Sequence, residues 1–219
     1  MRSFLIEFQE RRIDVRRYLA SLVLAERKFS SGKFKSIHEA ELRMFRASAI
    51  LVIYNAIEAS ARAGIQAIYD EISVTHTSFD DLHSDLRRRV IRDFKLNFSA
   101  DRADDIDIVA LEIVTASFNA RRVFNGNVDA KEIRDQAKDY GFKTNSEYKL
   151  TKHGSDLLTI KSRRNDLAHG DVSFGEVGRE YLARDLYIMG KCALNYVESI
   201  LNQIDGYLNQ SGYKSKPAA

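Results

Sequence analysis

Leu51-Val52-Ile53-Tyr54-Asn55-Ala56-Ile57-Glu58-Ala59 sits at the centre of an apolar pattern that steps through Phe45, Ile50, Tyr54, Ile57, Ala61, Ile65 and Ile68. Steps of three to five residues keep those side chains along one side of a helix. The spacing predicts a long central helix from Ile37 to about Ile72. The only proline is Pro217, so nothing before the tail carries the strongest helix breaker. An all-α fold follows.

The same reasoning extends in both directions. Phe4, Phe8, Val15, Leu19, Leu22 and Phe29 predict a first helix that ends near Ser30-Ser31-Gly32. Leu82, Leu86, Val90 and Phe94 step by four and predict a third, amphipathic helix, with Arg87, Arg88, Arg89 and Arg92 mostly on its wet side. Another helix is predicted from Asp105 to about Val123. After the Asn125-Gly126-Asn127 turn, Asp129 caps a short helix with Glu132 three positions on and Gly141 as its stop. That unit reads as functionally silent. Thr144 to Gly154 is polar and poorly periodic, and is expected to be a connection with a short extended piece. A helix from about Ser155 to His169 stops at Gly170, and a loop containing Gly170, Gly175 and Gly178 follows. The last long helix carries Leu186, Ile188, Met189, Ala193, Val197, Ile200, Leu201, Ile204 and Leu208. No repeat or linker interrupts the pattern, so one helical domain is expected over residues 1–219, with a core at about 29–208 and a frayed tail at 209–219.

Composition narrows the function classes. A chain of 219 residues with 44% hydrophobic and 30% charged residues suits one globular domain with its own core. The single cysteine, Cys192, excludes an internal disulfide and suits a reducing cytoplasm. The most apolar run, Ala47 to Ala56, is interrupted by Ser48 and Asn55 and falls short of the ~20 residues of a membrane span. The start, Met1-Arg2-Ser3-Phe4-Leu5-Ile6-Glu7, does not read as a secretory signal. A cytoplasmic protein without membrane contact is expected. The net charge of +3 is compatible with nucleic acid without demanding it. His38, His76, His83 and His153 show no ligand spacing, so no metal is expected. No Walker loop, dinucleotide fingerprint or nucleophile elbow is present, and no cofactor is expected.

Arg164-Asn165-Asp166-Leu167-Ala168-His169-Gly170 carries the chemistry. An arginine stays charged in a protein and a histidine titrates near neutrality, so the pair offers a phosphate anchor and a proton shuttle. A structural reading stands beside this one. A histidine in a last turn favours the helix dipole, and Gly170 is the usual stop after it. Five positions at ~100° each leave Arg164 and His169 roughly 140° apart around a helix and ~7.5 Å apart along it. Two facing chains would supply the pair more easily than one. Asn55 and Glu58 lie three apart on the central helix, and Glu58 with Arg62 is an i, i+4 ion pair that needs no site to explain it.

Arginine, a polar residue, and histidine after four intervening positions resemble the motif of the HEPN superfamily. The run from Arg163 to Gly170, its continuation Asp171-Val172-Ser173-Phe174-Gly175-Glu176, and Leu51 to Ala59 are similar to short, stand-alone bacterial HEPN proteins of the cyanobacterial MAE-type group. The resemblance spans roughly Phe29 to Leu208 and implies an antiparallel HEPN-like bundle with additional helices. It further implies a two-fold homodimer whose cleft is lined by both motifs, and a metal-independent endoribonuclease with Arg164 and His169 as catalytic residues. Asn165, Asp166, Glu58 and Asn55 would be supporting residues, with Glu58 orienting or neutralising Arg164 or His169. Lys161 and Arg163 would meet the RNA backbone. Many such proteins resemble toxins of toxin–antitoxin pairs or antiviral defence effectors, which implies RNA as substrate and a cognate antitoxin as partner. The alternative is a non-catalytic HEPN module that binds RNA, a nucleotide or a protein.

Overall fold

A computed structural model describes residues 1–31, 38–97, 114, 117–119, 123–124 and 126–215. Its helices are α1 (Ser3–Ser30), α2 (Glu39–Val74), α3 (Ser84–Asn97), α4 (Ala130–Tyr140), α5 (Tyr148–Thr151), α6 (Ser155–His169), α7 (Phe174–Glu180) and α8 (Ala183–Asn209). The chain is all-α, and no strand occurs among the described residues. The helix expected from Asp105 to Val123 falls mostly outside them. No described helix is long and apolar enough to cross a membrane.

The core is built around α2. Its start is fixed by Glu41, whose carboxylate accepts the His38 N–H at 2.8 Å. Leu42, Ile50, Ile53, Ile57, Ile65 and Ile68 are all buried, so α2 meets α1, α6, α7 and α8 on different sides. A helix buried on most of its circumference shows little amphipathic contrast, which suits a central position. Arg46 is 7% exposed amid this packing. Its Nε donates to Glu26 Oε1 of α1 at 2.7 Å, and its Nη1 to Glu39 at 3.2 Å and to the Gly178 carbonyl of α7 at 3.5 Å. Glu26 also accepts the Ala183 N–H at the head of α8, at 3.1 Å. One buried charge thus joins four helices.

The structure corrects several expectations. The segment Thr144 to Gly154 contains α5 and a 3-10 turn at Lys152–Gly154, and no extended piece. The expected glycine loop after Gly170 contains α7, started by a capping box in which Ser173 Oγ accepts the Glu176 N–H and Glu176 accepts the Ser173 N–H. Gly178 is not a loop residue. A Cβ there would lie 1.9 Å from the Arg43 carbonyl oxygen, so α7 rests backbone to backbone on α2. The tail is packed as far as Ser215. Tyr213 is 1% exposed, its carbonyl accepts the His83 N–H at 3.0 Å, the Ser215 N–H reaches Asp81 O at 2.7 Å, and Leu82 pairs with Lys214 as an isolated antiparallel bridge. On α3, Arg89 is not on a wet face. It bonds Asp93 at 2.6 Å, Gln136 at 2.8 Å and Asp139 at 3.1 Å, with its guanidinium 5.1 Å from the Tyr140 ring centre. It joins α3 to α4.

The close approach at Gly178 has a measurable cost if filled. Gly178→Ala is expected to lower stability in urea by about 1–3 kcal/mol, as overpacking of a fixed backbone does. Gly175→Ala, whose Cβ would meet only Ser173 Oγ at 3.9 Å, is expected to stay within about 0.5 kcal/mol of the parent.

Candidate functional site

Helix α6 begins after Gly154 and ends at Gly170, both left-handed at φ +76°. The Asp166 carbonyl closes its end by accepting the N–H groups of Gly170, Asp171 (3.0 Å) and Val172 (3.4 Å). Leu157, Ile160 and Leu167 are buried and define its inner side. Arg164 lies between them on that side and is half-buried. Its Cζ sits 4.8 Å from the ring centre of Tyr54 on α2, an arrangement in which the ring's negative face meets the cation. Nη1 donates to Asn165 Oδ1 at 3.0 Å. No carboxylate among the described residues lies within ion-pair distance of Arg164, while its neighbours Lys161, Arg163 and Arg62 are all paired.

A short stretch after Phe124 laces α2 to α6. The Gly126 N–H donates to Glu58 Oε1 at 3.3 Å, Asn127 Oδ1 meets Asn165 Nδ2 at 3.5 Å, and the buried Val128 N–H donates to Tyr54 Oη at 3.1 Å. Asp129 then pairs with Lys161 of α6 and caps α4 through the Glu132 N–H at 2.8 Å. Burial works against ionisation of Asp129, but the bonds from Lys161 and the Glu132 N–H outweigh it and hold its carboxyl below the ordinary value. Burial also pushes the Tyr54 phenol up to about 12. The Val128 N–H and Arg164 oppose this shift, and the charge of Glu58 adds to it.

The structure brings some expected residues together and separates others. Arg164 and Asn165 are in contact. His169 is the last residue of α6 and exposed, and its ring makes no hydrogen bond or ion pair among the described residues. No hydrogen bond or ion pair among the described residues joins it to Arg164, and five positions of helix set the two roughly 140° apart around α6. Glu58 is bonded to Arg62 and to the Gly126 N–H rather than to Arg164 or His169. Asn55 is exposed and bonds nothing among the described residues. Asp166 pairs with Arg163 at 3.1 Å, and Arg163 reaches Glu180 at 2.7 Å, so Arg163 ties α6 to α7. Lys161 is held by Asp129. Tyr54, Gly126, Asn127 and Asp129 were not expected at the site. The Gly-Asn-Val-Asp run was the available signal, since a glycine beside a polar turn allows close backbone approach. Among the described residues no His, Cys, Asp and Glu cluster could hold a metal ion.

A family model described as HEPN_MAE_28990-like HEPN matches residues 5–213. No curated protein and no solved structure matches the chain.

Buried phenols make stability depend on alkaline pH. Tyr54 and Tyr69 are each raised from 10.0 to about 12 by burial, and Tyr140 is raised well above 10.0 by the same cause. The folded chain therefore holds these protons more tightly than the unfolded one, and stability falls as pH rises through the interval where only the unfolded phenols have ionised. Melting temperature is expected to drop steeply from pH about 10 toward 12, with the phenolate absorbance of these buried rings appearing as a step that coincides with unfolding.

Proposed function

The chain belongs to the HEPN_MAE_28990-like family of HEPN domains, and from that premise we propose that it is a metal-independent endoribonuclease. The observation that carries the reading is Arg164: a half-buried guanidinium fixed on the Tyr54 ring, with no carboxylate partner among the described residues. A cation so placed keeps its charge for an external anion. The chemistry is attack by the RNA's own 2′-hydroxyl. The hydroxyl loses its proton, its oxygen bonds to phosphorus, the bond from phosphorus to the 5′ oxygen breaks, and that oxygen takes a proton. His169 takes or gives the proton, and Arg164 stabilises the charge gained by the phosphoryl oxygens. The products are 2′,3′-cyclic phosphate and 5′-hydroxyl ends.

Within one protomer Arg164 and His169 point roughly 140° apart around α6. A site assembled from two copies, each giving one group to the other's partner, resolves that separation, and a homodimer is therefore part of the proposal. Asn165 holds Arg164 in place, and Glu58 acts on it through Gly126 and Tyr54 rather than by direct pairing. Asp166 braces Arg163, and Lys161 braces Asp129. Both cations therefore support the site's shape more than they offer free charge to RNA. A cytoplasmic toxin or defence effector with a cognate antitoxin is the setting this activity suits.

Purified protein incubated with bulk RNA in EDTA is expected to yield cyclic-phosphate ends. His169→Ala and Arg164→Ala are each expected to lower the rate by about 10²–10⁴-fold. Equal cleavage by all three proteins would reject the nuclease. RNA binding that survives His169→Ala, with no cleavage by the parent, would favour a binding module anchored on Arg164 alone.

A further inference from the structure

Helix α8 carries Asn202 and Gly206 four positions apart, and Gln210, four further on, is its cap. That spacing stacks the three in one row, ~12 Å from first to last. The row borders a cleft of about 550 Å³ that is also lined by Tyr207 and by Phe142 and Lys143, just past the end of α4. Glycine inside a helix is destabilising relative to alanine, and its use is a bare backbone that packing or a ligand can approach. Packing accounts for the other glycines of the long helices: a Cβ would lie 2.8 Å from Leu201 at Gly64 and 2.9 Å from Leu19 at Gly190. At Gly206 it would meet nothing within 4 Å. The aromatic part of the cleft is fixed. The Tyr207 hydroxyl donates to the Tyr140 carbonyl at 2.5 Å, and its ring centre lies 6.4 Å from that of Phe142. The polar part is open. Gln203 is held by the Asn145 carbonyl, but the side chains of Asn202, Gln210 and Lys143 are exposed and bond nothing among the described residues. No carboxylate is among the described residues that line the cleft.

We infer that this cleft binds a purine base, adenine above all, carried by a nucleotide. A carboxamide presents a donor and an acceptor side by side, the pattern that matches N6 and N7 of adenine, and one stands at each end of the row. The bare backbone at Gly206 lets the edge of a flat ring come close. Tyr207 and Phe142 supply the aromatic surface on which bases settle, and Lys143, opposed by no carboxylate, meets the phosphate. The inference uses neither Arg164 nor His169, so it goes beyond the nuclease reading and does not rest on it. A free adenine nucleotide and an adenosine of an RNA strand present the same chemistry, and the experiment separates them.

The test uses the full chain with His169→Ala, so that RNA stays intact, titrated with AMP and UMP by calorimetry and with labelled octaadenylate and octauridylate by fluorescence anisotropy. At least one adenine ligand is expected to bind about tenfold tighter than its uracil counterpart. Binding of AMP supports the cleft with a free nucleotide as its ligand, and binding of octaadenylate without AMP supports it with an RNA strand. Gly206→Ala is expected to melt no lower than the parent, since alanine favours the helix, and yet to lose about tenfold in affinity for the adenine ligand. Asn202→Ala together with Gln210→Ala is expected to erase the preference for adenine over uracil. Arg164→Ala is expected to leave that preference unchanged. No adenine preference in either pair, undiminished affinity in Gly206→Ala, or a preference that survives the double variant or disappears in Arg164→Ala overturns the cleft and leaves the nuclease reading standing.

Discussion

Arg46 and Glu26 form the joint on which the bundle turns. The guanidinium is buried in α2, its carboxylate partner comes from α1, and the same carboxylate accepts the first amide of α8 while the guanidinium reaches a carbonyl of α7. Taking two charges out of water is costly, and the attraction between them offsets that cost only when further hydrogen bonds satisfy what remains. Here those further bonds come from the ends of other helices. Charge compensation and helix placement are therefore one requirement, and α2 cannot shift along α1 or α8 without exposing an unpaired ion to the core.

That constraint reaches the site because α2 also carries Tyr54 and Glu58. The Tyr54 ring faces Arg164 and its hydroxyl accepts the Val128 N–H, while Glu58 accepts the Gly126 N–H. Both ends of the stretch over α6 thus hang on one helix, one turn apart. Such a support, in which a side chain is held by residues that are themselves bonded, is what keeps a guanidinium aimed. His169 has no such support. It is exposed on the last turn of α6, whose end is closed by the bonds to the Asp166 carbonyl.

The long elements were readable because periodicity reports burial directly. α1, α2, α3 and α8 each repeat apolar residues over several turns, and Asp129, Gly141 and Gly170 mark ends by chemistry that depends on near neighbours alone. α7 was hidden for an instructive reason. Ser173 and Glu176 form a capping box visible in the sequence, but Gly175 and Gly178 suggested a loop, and Gly178 is required by the approach of a chain segment more than a hundred residues earlier. Arg89 was misplaced in the same way, since its partners Gln136 and Asp139 lie on α4. Of the site, Arg164, His169 and Asn165 were legible as a local motif. The platform Tyr54 was not, and Gly126 showed only as a glycine beside a polar turn, because no spacing rule links three segments that meet only after folding.

The pairing of Leu82 with Lys214 bears on how the molecule is made. The Ser215 hydroxyl donates to the Leu82 carbonyl across 133 positions of sequence, and Tyr213 fills the core beneath. During synthesis, which runs from the N-terminus at a finite pace, the start of α3 lacks this cover until residues 213–215 have been made. Leu82 and its apolar neighbours accordingly stay open to a nascent-chain chaperone until a segment made more than a hundred residues later hides them.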